Sequence, residues 1–325
     1  NRLEERCPVP TQLVRRVLPQ PLKRKLRGVA NSVSAPLEYI ADAIRFQRHY
    51  SKPGGRSDCQ QLAARLTFNA HSLEKGLSHD AIRLHFGRTA LSRLAETMRS
   101  YETQQCSKAS RPYQNALSVL RAYFELHELS ATDAPYAETL FASWMEEIGV
   151  ADPDLGGTVV VTSEDKQQNR QKDFAELFRG RTSVREYADQ AVDRALIDEA
   201  IEVTTKTPSI CNRQPYRVRV VTNGMLVEQI LKVQGGMTGH AVPPALLVVT
   251  ADIRDFVGVN ERNQVYVDGG IYAMSLLLAL EYVGLAACPL NAMFTRRKER
   301  EMRKLIGEDH EAFILFISVG HFRDQ

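Results

Sequence analysis

The run Phe313-Ile314-Leu315-Phe316-Ile317-Ser318-Val319 constrains the fold more than any other feature of the chain. It has no polar alternation, so it cannot lie with one face in water, and it predicts a central strand in a sheet covered on both sides. Further strands are expected at 216–222, 245–251 and 285–290. Between them, helical spacing predicts helices near 171–179, 193–205, 224–233, 263–283 and 295–306. From residue 170 onward the pattern is α+β.

The first half of the chain reads differently. Residues 1–35 carry scattered Pro and Arg and little periodicity, and are expected to form an extended basic arm. A helix is expected from Pro36, with Leu37, Ile40, Ala43 and Ile44 at helical spacing, broken by Ser51-Lys52-Pro53-Gly54-Gly55. Asp58 is placed to cap a helix whose stripe is Leu62, Leu66, Ala70 and Leu73, ending near Gly76. More helices are expected at 88–104, 112–129 and 135–148. No convincing strand precedes residue 155, so an all-helical domain comes first. The expected division is a basic arm and first helix over 1–56, a helical domain over 57–150, a linker over 151–169 and an α+β domain over 170–325. Thr158–Thr162 is a candidate short strand within that linker.

Composition narrows the class. With 43% hydrophobic and 25% charged residues, the chain is that of an ordinary globular protein. The net charge of +3 is uneven: residues 1–56 hold twelve Lys and Arg against four Asp and Glu. This basic surplus lacks interleaved aromatics and any nucleic-acid-binding motif, so a solvated arm is expected, not a nucleic-acid or membrane contact. Cys7, Cys59, Cys106, Cys211 and Cys288 are odd in number, widely spaced and without C-x-x-C. That argues against a disulfide scaffold or zinc site and for a reducing compartment. The apolar run Ala273–Leu280 is far short of the roughly 20 residues a membrane span needs, and no signal peptide is visible. A cytoplasmic protein is expected.

The chemistry-bearing residues follow in a fixed order. In Arg181-Thr182-Ser183-Val184-Arg185, two guanidiniums flank adjacent hydroxyls. Guanidinium gives forked, charge-assisted donors to phosphate oxygens and hydroxyls add compact ones; a solvated surface turn is the plainer alternative. Next comes Thr207-Pro208-Ser209-Ile210-Cys211-Asn212-Arg213-Gln214-Pro215, in which Asn212 and Gln214 carry amides that both donate and accept. Asp268-Gly269-Gly270 lies in a long apolar helix, where the glycines permit close packing. That helix leads to Gly284-Leu285-Ala286-Ala287-Cys288-Pro289-Leu290-Asn291.

This ordered set resembles the FMN-dependent nitroreductase family: an R-x-S-x-R start, a P-S-x-x-N-x-Q-P loop, a D-x-G helix and a G-L-x-x-C/P turn. The resemblance covers roughly residues 170–325. It implies a nitroreductase-like sheet flanked by helices and a homodimer with FMN at the interface. It further implies ping-pong hydride transfer from NAD(P)H through flavin N5 to a nitro, quinone or enone acceptor. By the same resemblance Arg181, Thr182, Ser183 and Arg185 meet the phosphate, and Arg323 closes on it from beyond the last strand. Pro208, Ser209, Ile210, Cys211, Asn212 and Gln214 reach the ring, often from the opposite subunit. Pro289, Leu290 and Asn291 back the ring, with the Asn291 N–H directed at N5. Many relatives have an acidic residue and Gly near Asn291-Ala292. The flavin carries the chemistry in such an enzyme, so no catalytic side chain is assigned. A dehydrogenase or oxidase of one biosynthetic intermediate and a non-catalytic flavin binder are the alternatives.

In the helical half, His71, His79 and His85 lie close together, but at spacings of 8 and 6 that put no pair on adjacent turns. No metal site is expected. Glu74-Lys75 and Arg83 are candidates to reach a substrate carboxylate or phosphate.

Overall fold

The computed structural model describes residues 19–51 and 57–323. It divides into two compact units, one combining the described part of 1–50 with Phe256–Asn263, the other holding the remainder.

In the smaller unit, α1 (Gln20–His49) carries an internal proline, Pro36. Arg262 pairs with Asp42 at 2.9 Å and Glu38 at 3.3 Å. The expected helix start at Pro36 and extended arm to residue 35 are corrected here: the helix begins at Gln20. Proline's fixed φ is itself helical, so the ring costs a hydrogen bond without dictating an end. The rest of the expected arm, and the Lys52–Gly55 breaker, lie outside the described residues.

The larger unit opens with a helical bundle: α2 (Cys59–Leu77), α3 (Arg88–Thr103), α4 (Arg111–Leu129), α5 (Pro135–Phe141) and α6 (Met145–Gly149). Asp58 and Gln61 form a reciprocal capping box at the start of α2. Leu62, Leu66, Ala70 and Leu73 bury one stripe against Leu94, Met98, Tyr113, Leu120 and Trp144. Glu102 serves three donors in this core: the Tyr113 hydroxyl at 2.7 Å, the Trp144 indole at 2.8 Å and Lys108 at 2.8 Å. A disulfide joins Cys59 to Cys106, whose Cα atoms are 5.7 Å apart. This overturns the reading of unpaired cysteines, because the turn after α3 returns the chain to the start of α2. The cysteine argument for a reducing compartment falls with it. Among the described residues, no helix is long and apolar enough to cross a membrane.

Thr158–Thr162 joins no sheet: Val159 and Val160 are more than four-fifths exposed and have no ladder partner. Beyond it Lys166 is buried and paired with Glu281 at 2.6 Å, while Asn169 donates to the Glu281 carbonyl at 2.7 Å.

The α+β part then follows as α7 (Phe174–Gly180), α8 (Arg194–Val203), β1 (Tyr216–Val221), α9 (Gly224–Gln234), β2 (Ala245–Asp252), α10 (Gln264–Tyr282), β3 (Ala286–Asn291), α11 (Arg296–Ile306) and β4 (Glu311–Gly320). The sheet order is β1-β2-β4-β3, every pairing antiparallel. Thus β4 is interior, as its apolar run requires. One face packs Leu246, Val248 and Phe316 under α9 and α11, the other Leu247, Val249 and Ile317 under α8 and α10. Gly269 lets α10 lie on β4, since a Cβ there would meet Ile314 at 2.5 Å. Cys59→Ser is expected to lower the bundle's stability by about 2–4 kcal/mol, from the freed loop entropy of the unfolded chain; an unchanged urea midpoint would count against the bridge.

Candidate functional site

The site starts where α7 ends. Asp173 and Glu176 cap α7 reciprocally, and the chain leaves it at Arg181 with extended backbone, running through 182–186 without regular secondary structure. The Val184 N–H donates to the Ala287 carbonyl at 3.1 Å, tying this stretch to β3. Tyr187 then donates to the Val184 carbonyl at 2.7 Å and packs over Gly320, where a Cβ would meet its ring at 2.4 Å. Both contacts fix the direction of the Arg-Thr-Ser segment.

A cavity of about 500 Å³ opens beside it. Thr182, Ser183 and Arg185 form one wall, with Arg323 at its end. The opposite wall comes from the end of α2 and the turn after it, through His71, Glu74, Ser78, His79 and Asp80, and Gly157–Thr162 forms a side. Arg181 does not line the cavity. Its Nη1, the Thr182 hydroxyl and the Arg185 Nε are buried without a hydrogen-bond partner. Among the described residues neither guanidinium has an ion pair. A buried donor left unmade costs about 1–3 kcal/mol, more when charged, so this set has the chemistry to take an acceptor-rich anion.

Arg323 is differently placed. It donates to the Tyr187 carbonyl at 2.8 Å, pairs with Asp80, and lies 3.6 Å from Glu186. The loop from Pro208 to Gln214 does not line the cavity at all. Cys211, Asn212 and Gln214 are exposed and left-handed, at φ 49°, 54° and 50°. The loop is held by Ser209, which accepts from the Gln214 N–H at 2.8 Å, and by Asp268, which accepts from the Ile210 N–H at 3.1 Å. Pro289, Leu290 and Asn291 do not line the cavity; they form the end of β3, paired with Ile317, Phe316 and Leu315, where a strand was expected over 285–290. Asn291 is exposed, its carbonyl accepting from Gln234 at 2.9 Å. Within one chain the cavity therefore gathers 182–185 and 323, and leaves Arg181, 208–214 and 289–291 outside its lining.

In the sequence the wall from α2 reads as a polar cluster at a helix end, with Glu74-Lys75 and Arg83 as candidates to reach a substrate. Glu74 accepts from the Gly157 N–H at 3.4 Å and lies 3.3 Å from His71. These contacts and the bond from Asn115 hold its carboxyl below the ordinary value despite the opposing effect of burial. Lys75 donates to the Gly236 carbonyl at 2.9 Å. Arg83 is exposed and outside the cavity. Burial pushes the Cys288 thiol up, against Arg185, Lys75 and Arg181, which makes it a poor nucleophile.

Sequence reasoning also missed His240, 161 residues from His79 in the chain and stacked on it with centroids 4.0 Å apart and planes 19° from parallel. Both rings face Glu186, at 2.7 Å from His240 and 3.9 Å from His79. Three such groups resemble a metal-ligand set. As placed they are not one, because an ion must lie near the plane of each ligating ring and stacked rings share no such point. The set is instead a stacked pair sharing one carboxylate. Burial lowers the His240 pKa below its ordinary 6.5, with His79 and Arg185 acting in the same direction and Glu186 opposing. The unfolded chain then takes up this proton first, so the contribution is full above pH 6.5 and is lost as pH falls through the folded value. Unfolding free energy measured from about pH 7 to about pH 5 is expected to fall, and His240→Gln to flatten that slope; an unaltered slope would oppose the assignment.

Comparison with known proteins bears on the same region. The nitroreductase family model matches residues 178–252. Among solved structures, the chain is similar to a putative NADH dehydrogenase/NAD(P)H nitroreductase of Parabacteroides distasonis, at 24% identity and TM-score 0.42, over 46% of this chain and 88% of that one. It is similar also to a putative NADH oxidase of Clostridium acetobutylicum, at 19% and 0.41, over 46% and 89%. An FMN-dependent nitroreductase of Clostridium difficile matches at 20% and 0.40, over 46% and 87%. The family match begins just before Arg181 and runs to the end of β2, so the start of the α+β part is similar to the nitroreductase family, and a helical segment precedes it.

Proposed function

We propose that the chain is an FMN-dependent oxidoreductase that takes hydride from NAD(P)H and delivers it to an organic acceptor of nitro, quinone or enone type. The observation that carries this reading is the set of unpartnered buried donors on Arg181, Thr182 and Arg185 beside a cavity of about 500 Å³. A phosphate monoester supplies the acceptors and negative charge that these groups lack. When bound, the flavin supplies the two-electron hydride chemistry.

The chain's own residues bind and orient. Arg181, Thr182, Ser183 and Arg185 hold the phosphate end, on a segment made rigid by Val184, Ala287 and Tyr187. Pro289, Leu290 and Asn291 present the edge of β3 toward the ring. Arg323, already engaged by Asp80 and Glu186, orders the cavity's end more than it neutralises an anion. Residues 57–150 form a helical domain, the α+β domain follows 151–169, and the protein is a homodimer. Exposed Val267 and Ile271 on α10 and the outlying loop Pro208–Gln214 support that assembly. In it, Ser209, Ile210, Cys211, Asn212 and Gln214 meet the partner's flavin.

Absorbance of the purified protein, before and after anaerobic NAD(P)H, tests the reading. Oxidised flavin bands that bleach are the expected result. Bands that persist favour a dehydrogenase with another donor or a flavin binder, and no bands after reconstitution with FMN would sink the proposal. Arg181→Ala is expected to weaken FMN binding about tenfold or more, the loss of one charge-assisted contact.

A further inference from the structure

We infer that Lys75, on the helical extension, belongs to the same anion site as Arg181 and Arg185, so that α2 is a wall of the cofactor site and not a separate recognition module. This rests on the FMN reading above. The Lys75 ammonium is half-buried and has as its acceptor the Gly236 carbonyl, 2.9 Å away. Among the described residues no carboxylate lies within ion-pair range of it. Gly236 adjoins Met237, whose Sδ lies 4.0 Å from the Ser318 Oγ, and Ser318 pairs with Cys288 across the sheet; Val184, next to Arg185, donates to the Ala287 carbonyl. Lys75 and the segment from Arg181 to Arg185 are thus both anchored about Ala287 and Cys288 of β3, and among the described residues none of the three cations has a carboxylate partner.

Such a gathering is unfavourable by itself, since like charges in a partly desolvated place repel more strongly than in water. Burial first, and then Arg185, lower the Lys75 pKa. Flexibility does not relieve the strain, because the helix end is fixed on three sides. Gly76 lies under Phe86, where a Cβ would meet the ring at 2.0 Å. Glu74 is fastened to the Gly157 N–H and His79 to the His240 ring. An anion placed against Arg185 and Lys75 removes the repulsion and engages the ammonium hydrogens that Gly236 leaves over. In FMN that anion is either the phosphate or the pyrimidine edge of the reduced ring.

The test is titration of wild type, Lys75→Met and Lys75→Arg with FMN and with riboflavin, with folding checked by circular dichroism. Lys75→Met is expected to weaken FMN binding by about tenfold or more, and Lys75→Arg to restore most of it. A loss confined to FMN assigns Lys75 to the phosphate. An equal loss for both flavins, with a lowered flavin midpoint potential, assigns it to the ring edge. Folded Lys75→Met that binds FMN like wild type, even with a lower Tm, overturns the inference while leaving the FMN reading intact. Wild-type protein that binds no FMN overturns both.

Discussion

One buried ammonium holds the site in place. Lys166 and Glu281 are 6% and 3% exposed, and the Lys166 Nζ donates both to that carboxylate and to the Gly180 carbonyl. Gly180 is the last residue of α7, immediately before Arg181. The pair therefore sets where the Arg-Thr-Ser segment leaves the helix, with α10 as the fixed reference. Removing one partner would strand the other, at a cost of about 3–5 kcal/mol. Asn169 completes the arrangement on the Glu281 carboxylate and carbonyl, so the charge is paired and hydrogen-bonded as burial demands.

A contrast between two groups of charge follows. Around Lys166, which is buried, and around Glu102, which is partly so, each charge meets its complement within the chain. Around Arg181, Arg185 and Lys75 it does not. The same fold thus neutralises charge where only structure is at stake and leaves it open beside the cavity. Of the acidic residues that line the cavity, Asp80 and Glu186 lie against Arg323, and Glu74 against the Gly157 N–H and His71.

Much of this was legible in local pattern. The apolar run 313–319 announced an interior strand, and the stripe Leu62–Leu73 announced α2 with its Asp58 cap. The order of Arg181, Ser183 and Arg185 pointed to an anion before any contact was known. What was not legible depends on distant chain segments meeting. Lys75 finds Gly236, His79 finds His240, and Cys59 finds Cys106, and no periodicity records such encounters. Pro36 misled because its φ suits a helix interior as well as a start. Thr158–Thr162 had strand-forming residues, but an isolated stretch without a ladder partner does not make a strand.

The disulfide has a topological meaning for the cavity. Cys59 and Cys106 enclose α2, the turn bearing His79 and Asp80, and α3 in a single covalent ring. Every residue that the bundle gives to the cavity wall from His71 to Asp80 lies inside that ring. Closing that ring removes conformations from the unfolded wall that a linear stretch would keep, so the bridge favours the folded form of the whole stretch that carries these residues.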